Sequence, residues 1–426
     1  MPPISIEVPT NRIRIRATIG FVNPMTSSSN AALRVLYVRN LIAPSDLGGN
    51  RYPFEVVRRL AARGHDVRAV TASALALPSV SLSRYPVSNR APLLTFASHA
   101  ILGRSATART LRAWAADVIV LSSYDNAFGF FWPRRLAPDV PTVFIYHSRF
   151  HSDAVNRVLA ARDPLRKALA APLKRFARAV QRTPLERCDE CIAVSEFSKQ
   201  EILSVAPRAR ATVVSTGVDT DRFSPGDRAS ARQALGIRED ERMLLTVGRL
   251  VPVKRYDRAI RALAVLRHAA DVSWRLHIVG AGAEAASLRS IAREQDLEEH
   301  VRFEGQLDGE ALVRRFRAAD MQLCTSDFEN WSLSILEGLA CGLPVVTTPT
   351  GGTPDLLRPI DATLVSPGVE PTQIAAAAAS VLSRTDLADL RRRCRERALE
   401  HSWDNVVTRL EGELARVTGR AALGDD

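Results

Sequence analysis

The sequence has no apolar run near the 18 or so residues that a membrane-spanning helix needs. Its first thirty residues lack the apolar core and the clear cleavage site of a signal peptide, although Arg12, Arg14 and Arg16 make them basic. They read as a loosely ordered arm. Cysteine is scarce, five scattered through 426 residues, an odd number that argues against a disulfide framework and for a reducing, cytoplasmic compartment. Cys188 and Cys191 make a single C-x-x-C, and no second pair or nearby histidine completes a zinc site. Acid is outweighed by base: the net charge is +12, nearly all of the positive charge being arginine. That favours an anionic partner, whether nucleotide, nucleic acid or acidic lipid. No nucleic-acid-binding module is recognisable, so nucleic acid is not the expected partner.

What is present is an alternation of buried strands and amphipathic helices, in a chain long enough for two domains. Leu33–Val38 reads as a buried parallel strand, and helical spacing runs through Phe54, Val57, Leu60 and Ala61 before the strand Val67–Thr71. Between the first strand and its helix lies Ala43–Asn50, whose Gly48 and Gly49 allow a close backbone approach to a ligand or simply make a tight turn. Further strands are expected at Asp117–Leu121, Pro141–Tyr146, Glu190–Val194 and Ala211–Val214. His147 closes the Pro141–Tyr146 strand, on the edge where α/β sheets bind ligands. Residues 216–226 are rich in turn formers and mark a boundary. Strands then recur at Leu244–Val247, Trp274–Val279, Val301–Phe303, Met321–Cys324 and Pro344–Thr347. The expected fold class is α/β, with two Rossmann-like domains over residues 31–220 and 221–402, flanked by the arm 1–30 and a tail 420–426.

The second half carries the more specific chemistry. After the strand Met321–Cys324 a polar loop leads to a helix spaced by Leu333, Leu336, Leu339 and Ala340. The amino end of that helix, near Ser332, suits a phosphate. Glu329 precedes it and Glu337 follows Ser332 by five residues, roughly 7–8 Å along the axis. An acid on each side of a phosphate suits a diphosphate with a hydroxyl-bearing ring at either end, a nucleotide sugar. The same spacing also fits an ordinary loop with two solvated glutamates. Arg249 and Lys254 share one loop after Leu244–Val247, where two cations can hold a diphosphate and stabilise charge as it leaves. Gly280-Ala-Gly282 lacks the third glycine of a dinucleotide fingerprint. Arg157–Arg182 is strongly basic with apolar faces at Leu165/Leu169 and at Leu173/Phe176/Val180, and Pro172 is expected to break it in two. It fits either a helix on an anionic membrane or a solvated arginine face.

Together these residues resemble the retaining glycosyltransferases of family 4, which have the GT-B fold. The resemblance runs from about Leu33 to Val407. It is carried by Val247-Gly-Arg-Leu-Val-Pro-Val-Lys254, Val279-Gly-Ala-Gly282, Glu329–Glu337 with Gly338–Val346, and Gly351-Gly352, supported by Ile192–Glu196 and Gly217–Pro225. It implies an amino-terminal acceptor domain and a carboxyl-terminal donor domain facing across a cleft, with a final helix, about 403–419, crossing back to the first. By the resemblance, Arg249 and Lys254 grip the donor diphosphate, Glu337 holds the ribose and Glu329 contacts the transferred sugar. Backbone N–H groups near Ser332 and Leu333 meet phosphate or sugar oxygens. His147 lies near the reacting sugar, and Gly48-Gly49 faces the diphosphate. No metal or cofactor is required beyond the nucleotide diphosphate sugar as co-substrate.

The chain departs from the family where Asn330-Trp331-Ser332 replaces the common Gly-Phe-Gly; the bulk of Trp331 is expected to narrow the sugar pocket. Ala281 replaces a common Asp. The expected activity is hexosyl transfer to a glycan or lipid-linked acceptor, in the cytoplasm or peripherally at the inner face of its membrane. The alternative is a non-catalytic sugar-nucleotide binder or membrane-surface scaffold.

Overall fold

The structure, a computed structural model of the chain, describes residues 32–42, 48–73, 77, 79–87, 92–148, 164–269 and 272–419. The arm expected over 1–30, the turn residues 43–47, the basic residues 157–163 and the tail 420–426 lie outside the described residues. Leu33–Asp426 forms one compact unit.

Two parallel sheets organise that unit. The first contains β1 (Arg34–Val38), β2 (Asp66–Thr71), β3 (Ser81–Arg84), β4 (Val118–Leu121), β5 (Thr142–Tyr146), β6 (Glu190–Ala193) and β7 (Ala211–Val213), in the order β3-β2-β1-β4-β5-β6-β7. The second contains β8 (Glu241–Val247), β9 (Ser273–Val279), β10 (Val301–Gly305), β11 (Met321–Cys324) and β12 (Val345–Thr347), in the order β10-β9-β8-β11-β12. β4, β5, β6, β11 and β12 are buried at every residue, as parallel strands covered by helices on both faces must be. In the first sheet the winding reverses between β1 and β4, and in the second between β8 and β11. Loops leaving the carboxyl ends of those strands splay apart and form the ligand crevice of an open α/β sheet.

Three departures from the sequence reading have local causes. β3 is a polar, solvent-edge strand, Ser-Leu-Ser-Arg, with no apolar run to announce it. Gly48 and Gly49 open the helix Gly48–Ala62 instead of forming a loop before it. Pro172 lies inside the continuous helix Pro164–Arg187. There Phe176 packs edge-on against Phe96 and Phe128, and Val180 is fully buried, so tertiary packing outweighs the local cost of the proline.

The last helix, Trp403–Val417, begins at an N-cap, Ser402, whose side chain accepts from the Asn405 N–H. Its Trp403, Val406, Val407, Leu410 and Leu414 join the core made by β1, β2, β4, β5 and the helix Gly48–Ala62. Full burial of each Val or Leu is worth about 1.5–3 kcal/mol, enough to fix the crossing back to the first sheet. Arg63 adds an ion pair to Glu411 at 2.5 Å. The outgoing and returning strands of chain also bond to each other: Val218 N donates to His401 O at 2.9 Å, and Trp403 N to Val218 O at 3.2 Å.

Candidate active site

The loops after β8 and β11 flank the reversal of the second sheet, and they meet. Gly248–Arg255 is held from below by the turn after β9: Gly248 N donates to Val279 O at 3.0 Å and Leu250 N to Ala281 O at 2.9 Å. This approach requires glycine, because a Cβ on Gly280 would lie 1.8 Å from Gly248 O. From the side, the loop is held by the segment after β11. Asp327 N donates to Val253 O at 2.8 Å, Thr325 Oγ1 donates to Arg255 O at 2.8 Å, and Arg258 pairs with Asp327 at 2.6 Å. The result is a direct ion pair between Lys254 Nζ and Glu329 Oε1. Burial alone would lower the Lys254 pKa, but the Glu329 charge reverses the effect and the net shift is upward. Lys254 is therefore a charged ammonium. Arg249, exposed on the same loop, is near enough for its charge to oppose that of Lys254. Two cations and Glu329 thus stand together at one sheet edge.

The Glu329 loop is fixed on its far side by Gly351 and Gly352. Gly352 N donates to Glu329 O at 2.8 Å, and a Cβ on Gly351 would lie 1.8 Å from the same oxygen. The helix Leu333–Ala340 starts at Ser332, which makes no side-chain cap, so the N–H groups of its first turn have no side-chain acceptor from that residue. Glu337, on the second turn, is buried.

The first sheet faces this cluster with its own reversal edge. Arg39, just after β1, donates through Nη1 to the carbonyl oxygen of Ser122, just after β4. Ser122 Oγ lies 3.0 Å from His147 Nε2, and the His147 ring stands edge-on to Tyr52 at 4.9 Å. Burial, reinforced by Arg39, pushes the His147 pKa well below its ordinary value, so the imidazole is neutral. Gly48 and Gly49 stand two to three residues before Arg51 on the same helix.

Two side-chain contacts between the halves were not legible in the sequence. Arg51 Nη1 binds Glu337 Oε1 at 3.1 Å, and Asn330 Nδ2 donates to the backbone oxygen of His147. They join residues 286 and 183 positions apart, and no local pattern encodes such pairs. The half-buried indole of Trp331 packs against the core of the second half and edge-on to His401 at 5.2 Å. The residue of the Asn-Trp-Ser triplet that reaches across to the first half is Asn330. A group of three or more His, Cys, Asp or Glu able to hold a metal is absent among the described residues.

Residues 48–222 match the family described as Glycosyltransferase Family 4, and residues 227–401 the family described as Glycosyl transferases group 1. A D-inositol 3-phosphate glycosyltransferase of Geodermatophilus obscurus is 32% identical over 413 residues, covering 89% of this chain and 88% of that protein. Among solved structures, sucrose-phosphate synthase from Thermosynechococcus elongatus superposes with a TM-score of 0.72 at 22% identity, over 90% of this chain and 98% of that one. Anabaena HepE, solved in complex with UDP-glucose, gives 0.68 at 16% identity, over 90% and 100%. The fold is GT-B, two parallel-sheet halves with a helix returning to the first, and the chain belongs to the family 4 glycosyltransferases.

Proposed function

We propose that this glycosyltransferase moves a hexose from a nucleotide diphosphate sugar to a hydroxyl acceptor, with retention at the anomeric carbon. The observation that carries the reading is the meeting of Lys254, Arg249 and Glu329 at the reversal edge of the second sheet. In this reading Lys254 and Arg249 hold the diphosphate, the service a metal provides elsewhere. The N–H groups at Ser332 and Leu333 donate to its oxygens, and Gly48 and Gly49 face it from the first half. Glu337 holds the ribose, Glu329 the transferred sugar, and His147 stands beside the reacting carbon. The acceptor oxygen bonds to that carbon on the face from which the diphosphate leaves. The carbon–oxygen bond to phosphate breaks, and the acceptor's proton passes to the departing phosphate oxygen.

The names of the relatives make D-inositol 3-phosphate the first acceptor to assay, beside glycan and lipid-linked hydroxyls. The HepE complex makes UDP-glucose the first donor. A thermal-shift series with UDP-, GDP- and ADP-sugars should raise the melting temperature for one base, since a ligand that binds only the native state stabilises it. With that donor, Lys254→Ala should lower turnover at least about 100-fold, on the order of 2.7 kcal/mol of transition-state stabilisation. A protein that binds a donor but neither hydrolyses it nor transfers its sugar would be the non-catalytic sugar-nucleotide binder, and one that binds none the membrane-surface scaffold. Near-normal turnover in the variant would remove Lys254 from the mechanism.

Peripheral contact with an anionic membrane belongs to the same reading. On the helix Pro164–Arg187, the cations Lys174, Arg175, Arg178 and Arg182 are exposed beside the 39%-exposed Phe176. Phe176 adjoins Phe128, which stacks on the exposed Trp132. Cations around apolar rings suit an acidic lipid surface. Flotation with liposomes should recover the protein only when anionic lipid is present; equal recovery without it rejects the electrostatic contact. No helix among the described residues is long and apolar enough to cross a membrane.

A further inference from the structure

Among the described residues, Asn330 is the member of the departing Asn-Trp-Ser triplet that hydrogen-bonds across the halves. Its backbone is pinned: Gly352 packs so closely that a Cβ there would lie 2.1 Å from Asn330 O and 2.8 Å from the Ser195 side chain. Its amide nitrogen is committed to the carbonyl oxygen of His147. With backbone and nitrogen both fixed, the direction of the amide oxygen is fixed as well. Asn330 is only 8% exposed, and its Oδ1 has no hydrogen-bond partner among the described residues. A buried carbonyl oxygen left unpaired costs about 1–3 kcal/mol, a cost recovered when a ligand supplies the missing donor. An amide oxygen accepts only, so the group it awaits is an O–H or N–H. Asn330 follows Glu329 in sequence and is bonded to His147, the two residues read above as flanking the transferred sugar.

We propose that Asn330 is a specificity-determining residue: its side-chain oxygen accepts a hydrogen bond from one hydroxyl, or one amide N–H, of the transferred sugar, between Glu329 and His147. This rests on the donor reading given above. A rigid, buried acceptor discriminates far better than an apolar pocket, because a sugar lacking the donor leaves it unpaired.

The test pairs the side chain with the sugar. The parent donors are UDP-, GDP- and ADP-glucose, -galactose and -N-acetylglucosamine; the one the protein uses is then taken with its 2-, 3-, 4- and 6-modified deoxy analogues. Wild type should lose at least about tenfold in kcat/KM at the position that Asn330 reads, separately from any position whose hydroxyl meets Glu329 or the Ser332 and Leu333 N–H groups. Asn330→Ala should lose a similar factor on the parent donor and no further factor at that same position. Binding of the corresponding nucleoside diphosphate alone should change less than about threefold, as expected of a residue that meets the sugar and not the nucleotide. Equal treatment of every deoxy analogue by wild type overturns the inference, whatever the variant does. So does a variant whose analogue profile parallels wild type, or whose affinity for the bare nucleoside diphosphate falls with its kcat/KM. A wild type that consumes no donor at all overturns the donor reading itself, and this inference with it.

Discussion

At the scale of single residues, burial decides charge. His401 sits where the chain returns to the first sheet, with Nδ1 2.8 Å from Ser215 Oγ and its ring beside Trp331. Burial, aided by Arg397 and Arg409, lowers its pKa to about 3. His147 is shifted in the same direction. As pH falls from 7 to 5, the unfolded chain protonates these histidines near the ordinary value of about 6.5, while the native protein does not. The stability they contribute is complete above about 6.5 and is lost on acidification until the native His401 itself protonates near 3. His401 alone accounts for about 2 kcal/mol of loss between pH 7 and pH 5. Urea unfolding at the two pH values should find that His401→Gln, which keeps a polar group for Ser215, loses about 2 kcal/mol less than wild type. An identical pH dependence in the variant would show that His401 is not held neutral.

At the scale of elements, the glycine turns determine where the chemistry stands. Gly280 has φ +144 and lies under Gly248 O, so the turn after β9 sets the height of the loop that carries Arg249 and Lys254. Gly280→Ala must push those two backbones apart. It should cost at least about 2 kcal/mol of stability and depress transfer by more than the fall in folded fraction explains, because Lys254 moves relative to Glu329. Activity measured per folded molecule and equal to wild type would show that the loop tolerates the shift. Much of this level is legible in the sequence. Buried runs such as Val118–Leu121 and Met321–Cys324 announce parallel strands, and the loops holding Lys254 and Glu329 follow strands that neighbour each other in the sheet. What escapes is what local composition does not encode. β3 is polar because it is an edge, and β8 begins three residues early, at Glu241, because Arg275 pairs with that buried carboxylate at 2.6 Å. Pro172 is overruled by aromatic packing. Arg51 and Asn330 gain their partners only when the two halves face each other.

At the scale of the molecule, the halves are joined by two crossings of the chain and by side chains that reach across. Trp403, on the returning crossing, stacks edge-on with Tyr52 at 5.8 Å, and Tyr52 does the same with His147, so the hinge side and the site share a run of packed rings. On the other side Phe197 meets Phe328 at 5.8 Å, and its N–H donates to Asp355 at 3.3 Å. The Arg51–Glu337 pair is the charged member of this set, with both side chains about a tenth exposed, at 9% and 11%. In the proposed function Glu337 serves the ribose, so Arg51 holds from the first half the carboxylate that a nucleotide needs. Nucleotide binding must then pay to loosen that pair. Arg51→Met removes the charge and keeps an apolar stem near Phe223. Taking one partner from a buried pair costs about 3–5 kcal/mol, so the ligand-free protein should melt lower. Ribose hydroxyls can recover part of that cost at Glu337. Calorimetric titration with the preferred nucleoside diphosphate should therefore give a Kd at least about tenfold lower in the variant, a gain of about 1.4 kcal/mol. A Kd that rises instead would mean that Arg51 is itself a nucleotide ligand, and that the halves close with the cation inside the site.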